Sequence, residues 1–339
     1  MEFTIADAGK KDIAPLLGYE LVDIDIGAAN NFTVRLPKPK AKALGIAKGM
    51  WLYAHGTEYG GVFTNFESET NSASIAWGGA TFRGLMQRDI VTPAAGADYR
   101  VVSGEANAVI KTILGENASA GSVFTVPAAN TGVTFANWRY PRYRDKLHSL
   151  TGMLASKNMK LKITADRGAS GAGFLIVAEA VPIVDYSNLV EYSQNAKENV
   201  HIINNDPDVN HLICLGAGTL RDRLRVDLYL QADGTVGGTK HYTGVNEYVG
   251  VFSYGSEGEA DKLREAGAKH LLAQAVDIGI EMTAPDFPFD VGDIVAGRDY
   301  DMGISVKNQI ASKILRTDGM ETTVEISVKG DDGDGEEEM

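Results

Sequence analysis

The sequence predicts a β-rich α+β fold in which two strand-rich regions flank a mixed α/β part. Three observations lead to this prediction. Short segments that alternate between apolar and polar residues recur over residues 19–102 and resume near residue 200. Many of these segments end at one of the 38 glycines of the chain, as tight turns and bulges require. Between the two regions the apolar period lengthens to that of a helix.

The first region, residues 1–103, is predicted to be a small β-barrel-like domain. Residues 21–26 alternate so that one face is apolar and the other is acidic, which is the pattern of a half-buried strand. Glycines between the segments supply the turns that a closed, curved sheet needs. The predicted strands are residues 19–26, 32–36, 50–55, 61–67, 74–82 and 99–102.

The middle region, residues 104–184, is predicted to be an α/β domain. One helix begins after Gly104, and a second is predicted over residues 142–157. The second helix has an apolar face at helical spacing, formed by Tyr143, Leu147, Leu150 and Leu154. We expect this face to pack on a sheet made by residues 159–164 and 173–184.

The third region, residues 185–330, is predicted to be a second β-barrel-like domain with one helix at residues 259–274. Its predicted strands are residues 200–203, 210–215, 224–230, 247–254, 277–282, 290–298, 304–315 and 322–328. The last nine residues, 331–339, contain six acidic side chains, and we expect them to form a disordered, solvated tail.

Charge and composition exclude several functions. The formal net charge is −13, and about −7 remains without the acidic tail, so the chain is not expected to bind nucleic acid tightly. No long apolar run or basic leader is present, so we expect synthesis in a cytoplasm and no membrane insertion. The single cysteine, Cys214, lies in an apolar segment and is predicted to be a buried, reduced thiol.

Known catalytic and cofactor motifs fit the sequence poorly, so we predict a non-enzymatic protein without cofactor or metal. Residues 212–218 suggest a dinucleotide-binding turn, but the third glycine position holds Arg221, and residues 224–230 alternate like a strand. A strand, a turn and a strand are therefore expected there. The calcium-like run 206–210 has His211 where glycine is needed. One cysteine and six scattered histidines do not form a zinc motif.

Two further patterns have both a functional and a structural interpretation. Asp23 with Asp25, and Glu67 with Glu69, could act as paired catalytic carboxylates. Solvated strand faces produce the same spacing more often. Likewise, three tryptophans and two tyrosines could form a sugar-binding surface, although aromatic residues on strands usually pack against neighbouring strands. These aromatic residues are Trp51, Trp77, Trp138, Tyr53 and Tyr59.

Several segments, taken together and in order, resemble the siphophage Gp37-like tail proteins of phages and prophages of Gram-positive bacteria. They span nearly the whole chain apart from the acidic tail. The segments are residues 56–61, 79–86, 98–107, 210–216, 223–229 and 291–299.

The resemblance implies a baseplate hub protein of the phage tail tip, located in the virion tail. It implies two barrel domains per subunit and a homotrimer that forms a ring between the tail tube and other tail-tip proteins. DNA would pass through this ring without binding tightly, in agreement with the acidic charge. Two glycine-rich turns are candidates for assembly contacts, with the residues Gly56, Tyr59, Gly61, Ala169, Ser170 and Gly171.

Two alternatives remain open at the level of sequence. The chain could be a tail-associated cell-wall hydrolase, which a zymogram against bacterial cell walls would reveal. It could also be a module that binds host-surface glycans through Trp51 or Trp77, in which case replacing either residue would abolish binding.

Overall fold

The computed structural model describes residues 1–116, 123–168, 173–187, 191–193, 199–204, 209–232, 235–255, 257–275, 278–284, 289–299 and 304–328. Contacts between residues divide the chain into two compact units. The first unit contains Met1–Val190, Met282–Val295 and Ser312–Ile326, and the second contains Glu191–Glu281, Ala296–Ala311 and Ser327–Met339. The predicted boundaries near residues 103 and 184 stay a prediction.

The elements of the chain up to residue 182 all belong to the first unit. In order they are β1 (Thr4–Ala6), β2 (Asp12–Pro15), β3 (Leu21–Ile26), β4 (Asn31–Pro37), α1 (Lys38–Leu44), β5 (Trp51–Tyr53), β6 (Gly60–Glu67), β7 (Ser74–Thr81), α2 (Phe82–Gln87), β8 (Arg100–Glu105), α3 (Ala106–Gly115), β9 (Phe124–Thr125), β10 (Thr134–Tyr140), α4 (Lys146–Ala155), β11 (Met159–Arg167) and β12 (Phe174–Pro182).

The remaining elements alternate between the two units. They are β13 (Glu191–Ser193), β14 (Asn199–Asn204), β15 (His211–Leu215), β16 (Arg225–Leu230), β17 (Val236–Gly237), β18 (Val249–Ser253), α5 (Ala260–Ala275), β19 (Ile278–Ala284), β20 (Ile294–Asp299), β21 (Ile304–Gln309), β22 (Ser312–Thr317) and β23 (Thr322–Val328). Short 3₁₀ turns lie at Leu220–Asp222 and Gly244–Asn246. The predicted β-rich α+β fold class is confirmed.

A continuous antiparallel sheet organises the first unit. Its strands follow the order β22-β3-β4-β7-β6-β5-β1-β2. The alternation predicted for β3 is observed, since Val22, Ile24 and Ile26 are buried while Asp23 and Asp25 lie on the opposite face. Alternation of this kind gives each strand one apolar face, and burial of that face stabilises the sheet.

A hydrophobic core of the first unit lies between sheet strands, helices α3 and α4, and the hairpin of β11 and β12. Phe174 at the start of β12 connects these parts. Its ring stacks on Tyr53 with centroids 4.2 Å apart and meets Trp51 edge to face at 5.9 Å. Aromatic contacts at these distances add to the stabilisation that comes from burial alone.

In the second unit, one face of a four-stranded sheet packs against α5. The strand order is β17-β16-β15-β18, and the core contains Leu212, Cys214, Val226, Leu228, Leu263 and Leu271. Strands β15 and β16 are antiparallel, so the predicted strand, turn and strand over residues 212–230 are confirmed. Cys214 is a buried free thiol, as predicted.

The bounds of several predicted elements differ in the structure, as the second helix and the strand 304–315 show. The second helix begins at Lys146 and not near residue 142, because the Asp145 carboxylate accepts a hydrogen bond from the His148 N–H at 3.0 Å and caps the helix there. Tyr143, which we predicted on the helix's apolar face, is exposed and has a φ of +56°. The predicted strand 304–315 is two strands, β21 and β22, which pair in different sheets.

None of the helices within the described residues has the length and apolarity that a bilayer crossing requires.

Candidate functional site

The turn formed by residues 54–59 connects β5 to β6, and hydrogen bonds hold its shape. Gly56 has a φ of +74°, a conformation that favours glycine. The Thr57 hydroxyl donates to the Ala54 carbonyl at 2.9 Å and accepts from the Tyr59 N–H at 3.1 Å. The turn therefore presents a defined backbone shape at the end of two strands.

The same turn is attached to β11, the strand that leads to the other candidate loop. The Gly56 N–H donates to the Ala165 carbonyl, and the Ala165 N–H donates to the Thr57 carbonyl, both at 2.8 Å. Ala165 lies four residues before Ala169. The structure thus brings the Gly56 turn next to the strand that enters the second loop, although the two segments are far apart in sequence.

The candidate residues of the turn differ in exposure. Gly56 is exposed, and a β-carbon placed on it would meet no atom within 4 Å. Tyr59 and Gly61 are buried within the chain. A β-carbon on Gly61 would lie only 2.1 Å from the Ala80 carbonyl oxygen, so β6 and β7 approach closely because glycine is present. Tyr59 and Gly61 hold the shape of the turn that Gly56 presents.

The second candidate loop joins β11 to β12. Ala169, Ser170 and Gly171 lie outside the described residues. At its end, Gly173 has a φ of +76°, and the Phe174 N–H donates to the Lys10 carbonyl at 2.9 Å. The two strands pair without a register shift from Met159 opposite Pro182 to Arg167 opposite Phe174, so the hairpin holds the base of the loop in a regular geometry.

Beneath the Gly56 turn lies a buried ion pair that sequence reasoning missed. Arg83 Nε donates to Glu58 Oε1 at 2.5 Å, and Nη2 donates to Glu58 Oε2 at 3.1 Å and to the Leu161 carbonyl at 3.2 Å. Burial raises the pKa of Glu58, and the positive charge of Arg83 opposes that shift. The pair joins the turn to α2 and β11. Its sequence signal is weak: one arginine within an otherwise apolar and glycine-containing run.

A second buried ion pair connects β11 to the segment before β20. Lys160 Nζ lies 2.6 Å from Asp293 Oδ2 and 3.3 Å from Asp290 Oδ2. Asp293 also accepts hydrogen bonds from the backbone N–H groups of Val184 and Asp290, each at 3.0 Å. Because its oxygens are satisfied by these donors, Asp293 has a structural role.

Of the carboxylates considered as catalytic pairs, Asp23 and Asp25 have structural partners. Asp23 Oδ2 accepts from Arg316 Nε at 3.0 Å across the β3–β22 pair. Asp25 Oδ1 accepts from the backbone N–H groups of Ala28 and Ala29 at 3.1 and 3.0 Å, and so closes the turn after β3. Glu67 and Glu69 are exposed, in accord with a solvated strand end.

A carboxylate–histidine–carboxylate arrangement occurs in the second unit. His211 Nδ1 lies 2.7 Å from Glu247 Oε1, and Nε2 lies 2.9 Å from Asp227 Oδ1. Arg225 also pairs with Asp227, and Lys240 pairs with Glu247. Because carboxylates occupy both ring nitrogens, this histidine is not positioned to take a proton from a substrate. Among the described residues, no group of three or more acidic, histidine or cysteine side chains is arranged to hold a metal ion.

The aromatic residues considered for sugar binding are not on an open surface. Trp51, Trp77, Tyr53 and Tyr59 are buried, and Trp138 is half-buried. Trp77 packs edge to face against Phe63 at 6.0 Å. The packing interpretation is therefore correct for Trp51 and Trp77, whose burial contradicts a glycan-binding surface made by these two residues.

A similar fold occurs in solved structures of phage and prophage tail proteins. Three solved structures share it over 98% of this chain. A tail protein from Neisseria meningitidis MC58 has 13% identity, a TM-score of 0.55 and 97% of its own chain covered. The 43 kDa tail protein of prophage MuSo2 from Shewanella oneidensis has 11% identity, a TM-score of 0.57 and 99% coverage.

The third structure is the prophage tail protein gp18 from Listeria monocytogenes EGD-e, with 10% identity, a TM-score of 0.50 and 95% of its chain covered. At these identities the likeness lies in the fold alone. No family model matches the sequence, and no curated protein matches it.

Proposed function

We propose that this chain is a structural, non-enzymatic subunit of a phage or prophage tail tip, a baseplate hub protein similar to the Gp37-like siphophage tail proteins. The observation that carries the proposal is the fold shared end to end with three tail proteins, with 95–99% of each of those chains covered. An end-to-end match supports a role for the whole chain and not for a single module within it.

In this proposal three copies close into a ring between the tail tube and the other tail-tip proteins. A cyclic ring uses two different, complementary surfaces of each subunit. We assign one of these surfaces to the Gly56 turn and the loop 169–173. The hydrogen bonds between Gly56 and Ala165 support a common location for the two segments.

DNA would pass through the ring without binding tightly. The formal charge of −13 supports this part of the proposal, because an acidic wall repels phosphate groups. Synthesis takes place in the cytoplasm of the bacterial host, and the mature protein resides in the virion tail. The Glu58–Arg83 and Lys160–Asp293 ion pairs support the non-enzymatic role, because they use charged groups for structure. His211 supports it too, because a carboxylate contacts each of its ring nitrogens.

Electron microscopy of particles from the source strain tests the proposal. The chain would carry an epitope tag after residue 339 and be detected with gold-labelled antibody, with an untagged strain as the control. We expect gold at the tail tip only. Gold on the capsid, or particles without the tagged chain, would overturn the tail-tip role. Chemical cross-linking of the isolated particles would then show whether the 36.3 kDa chain forms trimers.

A further inference from the structure

The outer edge of strand β18 is an exposed, apolar strand edge. β18 is the last strand of the four-stranded sheet in the second unit and pairs in parallel with β15. No strand within the described residues pairs with its other edge. Val249 and Val251 are 53% and 63% exposed, so the edge carries apolar groups in contact with water.

The backbone groups on this edge have a regular spacing. The His211 N–H donates to the Tyr248 carbonyl at 3.0 Å, and the Tyr254 N–H donates to the Leu215 carbonyl at 2.8 Å. In a parallel ladder alternate residues bond to the same neighbour. The even-numbered residues of β18 therefore face β15, and Val249, Val251 and Ser253 direct their N–H and C=O groups away from it.

Strand β18 lacks the features by which proteins normally protect an edge. Natural edge strands carry charged residues, proline or bulges that prevent pairing with another chain. Strand β2, at the edge of the first unit's sheet, has Asp12, Pro15 and a register shift opposite Ile5 and Ala6. Strand β18 has none of these features within Val249–Ser253. Its edge is therefore suited to pairing with another strand.

Charge limits which surface two copies of this chain can share. Each copy carries a formal charge of −13, so contacts between acidic surfaces are repulsive. Residues 248–256 contain no charged side chain, although the Arg223 guanidinium, a positive group, donates to the Ser253 hydroxyl at 2.5 Å. Two copies would meet with little local repulsion along β18, and the exposed valines would leave water on contact.

We propose that β18 of a second copy of this chain covers this edge in the free protein, antiparallel and about a twofold axis. Val251 lies opposite Val251 of the partner subunit, and Val249 lies opposite Ser253 of the partner subunit. This register pairs all the outward N–H and C=O groups of both strands and joins two four-stranded sheets into one. The contact is separate from the ring surface that we assign to the Gly56 turn and the loop 169–173, and it does not depend on a tail-tip role.

Single cysteine substitutions test the register. Val251→Cys places two cysteines opposite each other at about 5.5 Å between Cα atoms, within the range of a disulfide. Val249 is similarly exposed, but in the proposed register the Val249→Cys residues of the two subunits are four residues apart along the strands. Their Cα atoms would be about 14 Å apart, which is too far for a disulfide. The native Cys214 is buried. Upon mild oxidation we expect a disulfide-linked dimer from Val251→Cys and none from Val249→Cys.

Equal cross-linking of both variants, or of neither, would overturn the proposal. Sedimentation of the full-length protein gives an independent measurement. Wild type should show a concentration-dependent dimer, and Val251→Lys should be at least tenfold weaker in dimerisation with an unchanged circular dichroism spectrum. A wild-type protein without a dimer, or a dimer that Val251→Lys leaves intact, would contradict it. Tail-tip labelling succeeds or fails independently of both results.

Discussion

Replacing Glu58 by Gln should strongly destabilise the first unit, because Arg83 would keep its charge in a buried site without a counter-charge. The side chains of Glu58 and Arg83 are only 12% and 4% exposed, and two hydrogen bonds join them. Removing one member of a buried pair costs about 3–5 kcal/mol, whereas an exposed pair contributes at most about 1 kcal/mol. Their low exposure makes Glu58 and Arg83 a buried pair, so we expect the free energy of unfolding to fall by about 3–5 kcal/mol.

The measurement is urea unfolding followed by tryptophan fluorescence. All three tryptophans, Trp51, Trp77 and Trp138, belong to the first unit, so the signal reports on that unit. With a urea dependence of about 2 kcal/mol per molar, the expected loss lowers the midpoint by about 2 M. Glu67→Gln, at an exposed strand end, is the matched control and should shift the midpoint little.

A double variant tests whether the uncompensated charge of Arg83 is the cause of the destabilisation. Glu58→Leu with Arg83→Met removes both charges and keeps apolar volume in the site. It should recover most of the stability, apart from about 1 kcal/mol for the lost hydrogen bond to the Leu161 carbonyl. A Glu58→Gln variant within 1 kcal/mol of wild type would refute the reasoning. A double variant that is as unstable as the single one would show that an uncompensated charge is not the cause.

Three further outcomes are expected. Gly61→Ala should destabilise the first unit by about 1–3 kcal/mol, because its β-carbon would collide with a backbone carbonyl 2.1 Å away. Gly152→Ala, in open space on α4, should stabilise the unit by up to about 1 kcal/mol. Urea unfolding of the two variants measures both changes. Burial raises the pKa of Cys214 to about 11, so a thiol reagent at pH 8 should react only after the second unit unfolds, and rapid labelling of native protein would contradict this. Hydrogen bonding to Arg225 holds the pKa of Asp227 low, so the associated stability is present above the usual carboxyl range and is lost as pH falls below about 4. Arg225→Gln should therefore reduce the loss of stability on acidification, which circular dichroism would follow. An unchanged acid-unfolding profile in this variant would count against the role of Arg225.

Apolar periodicity in the sequence predicted correctly those strands and helices whose apolar residues are buried on one face. Strand β3 alternates in sequence and in burial, and the apolar face of α3 contains Val109, Ile110 and Ile113, all buried. Helix α4 was predicted with the wrong start, because the period of its apolar residues extends upstream of the cap at Asp145. Periodicity locates the face of a helix well, whereas the side-chain cap decides where it begins.

Short edge elements were missed because their sequences carry little periodicity. Strands β1 and β2 have three and four residues, which is too short for an alternating pattern to be distinctive. Helix α1 follows Pro37 and contains Pro39 in its first turn, a position that proline tolerates, but the sequence pattern predicted no element between residues 36 and 50. Strands β1 and β2 exist because β1 pairs with both β2 and β5.

The candidate assembly surface depended on the fold even more strongly. The sequence identified the Gly56 turn and the loop 169–173 as separate segments, and nothing in their spacing indicated that hydrogen bonds join Gly56 to Ala165. The Glu58–Arg83 pair connects residues 25 positions apart. Such pairings require the chain to be folded before either partner can be recognised.

The sequence by itself determined the balance of strands and helices, the acidic character, the buried thiol and the apolar face of each long element, because these follow from the period and composition of neighbouring residues. Only the tertiary structure decided which strands lie at sheet edges, which aromatic side chains are buried, and which charges are paired. Those properties depend on contacts between residues distant in the chain, and a single sequence does not encode their distances in any local pattern.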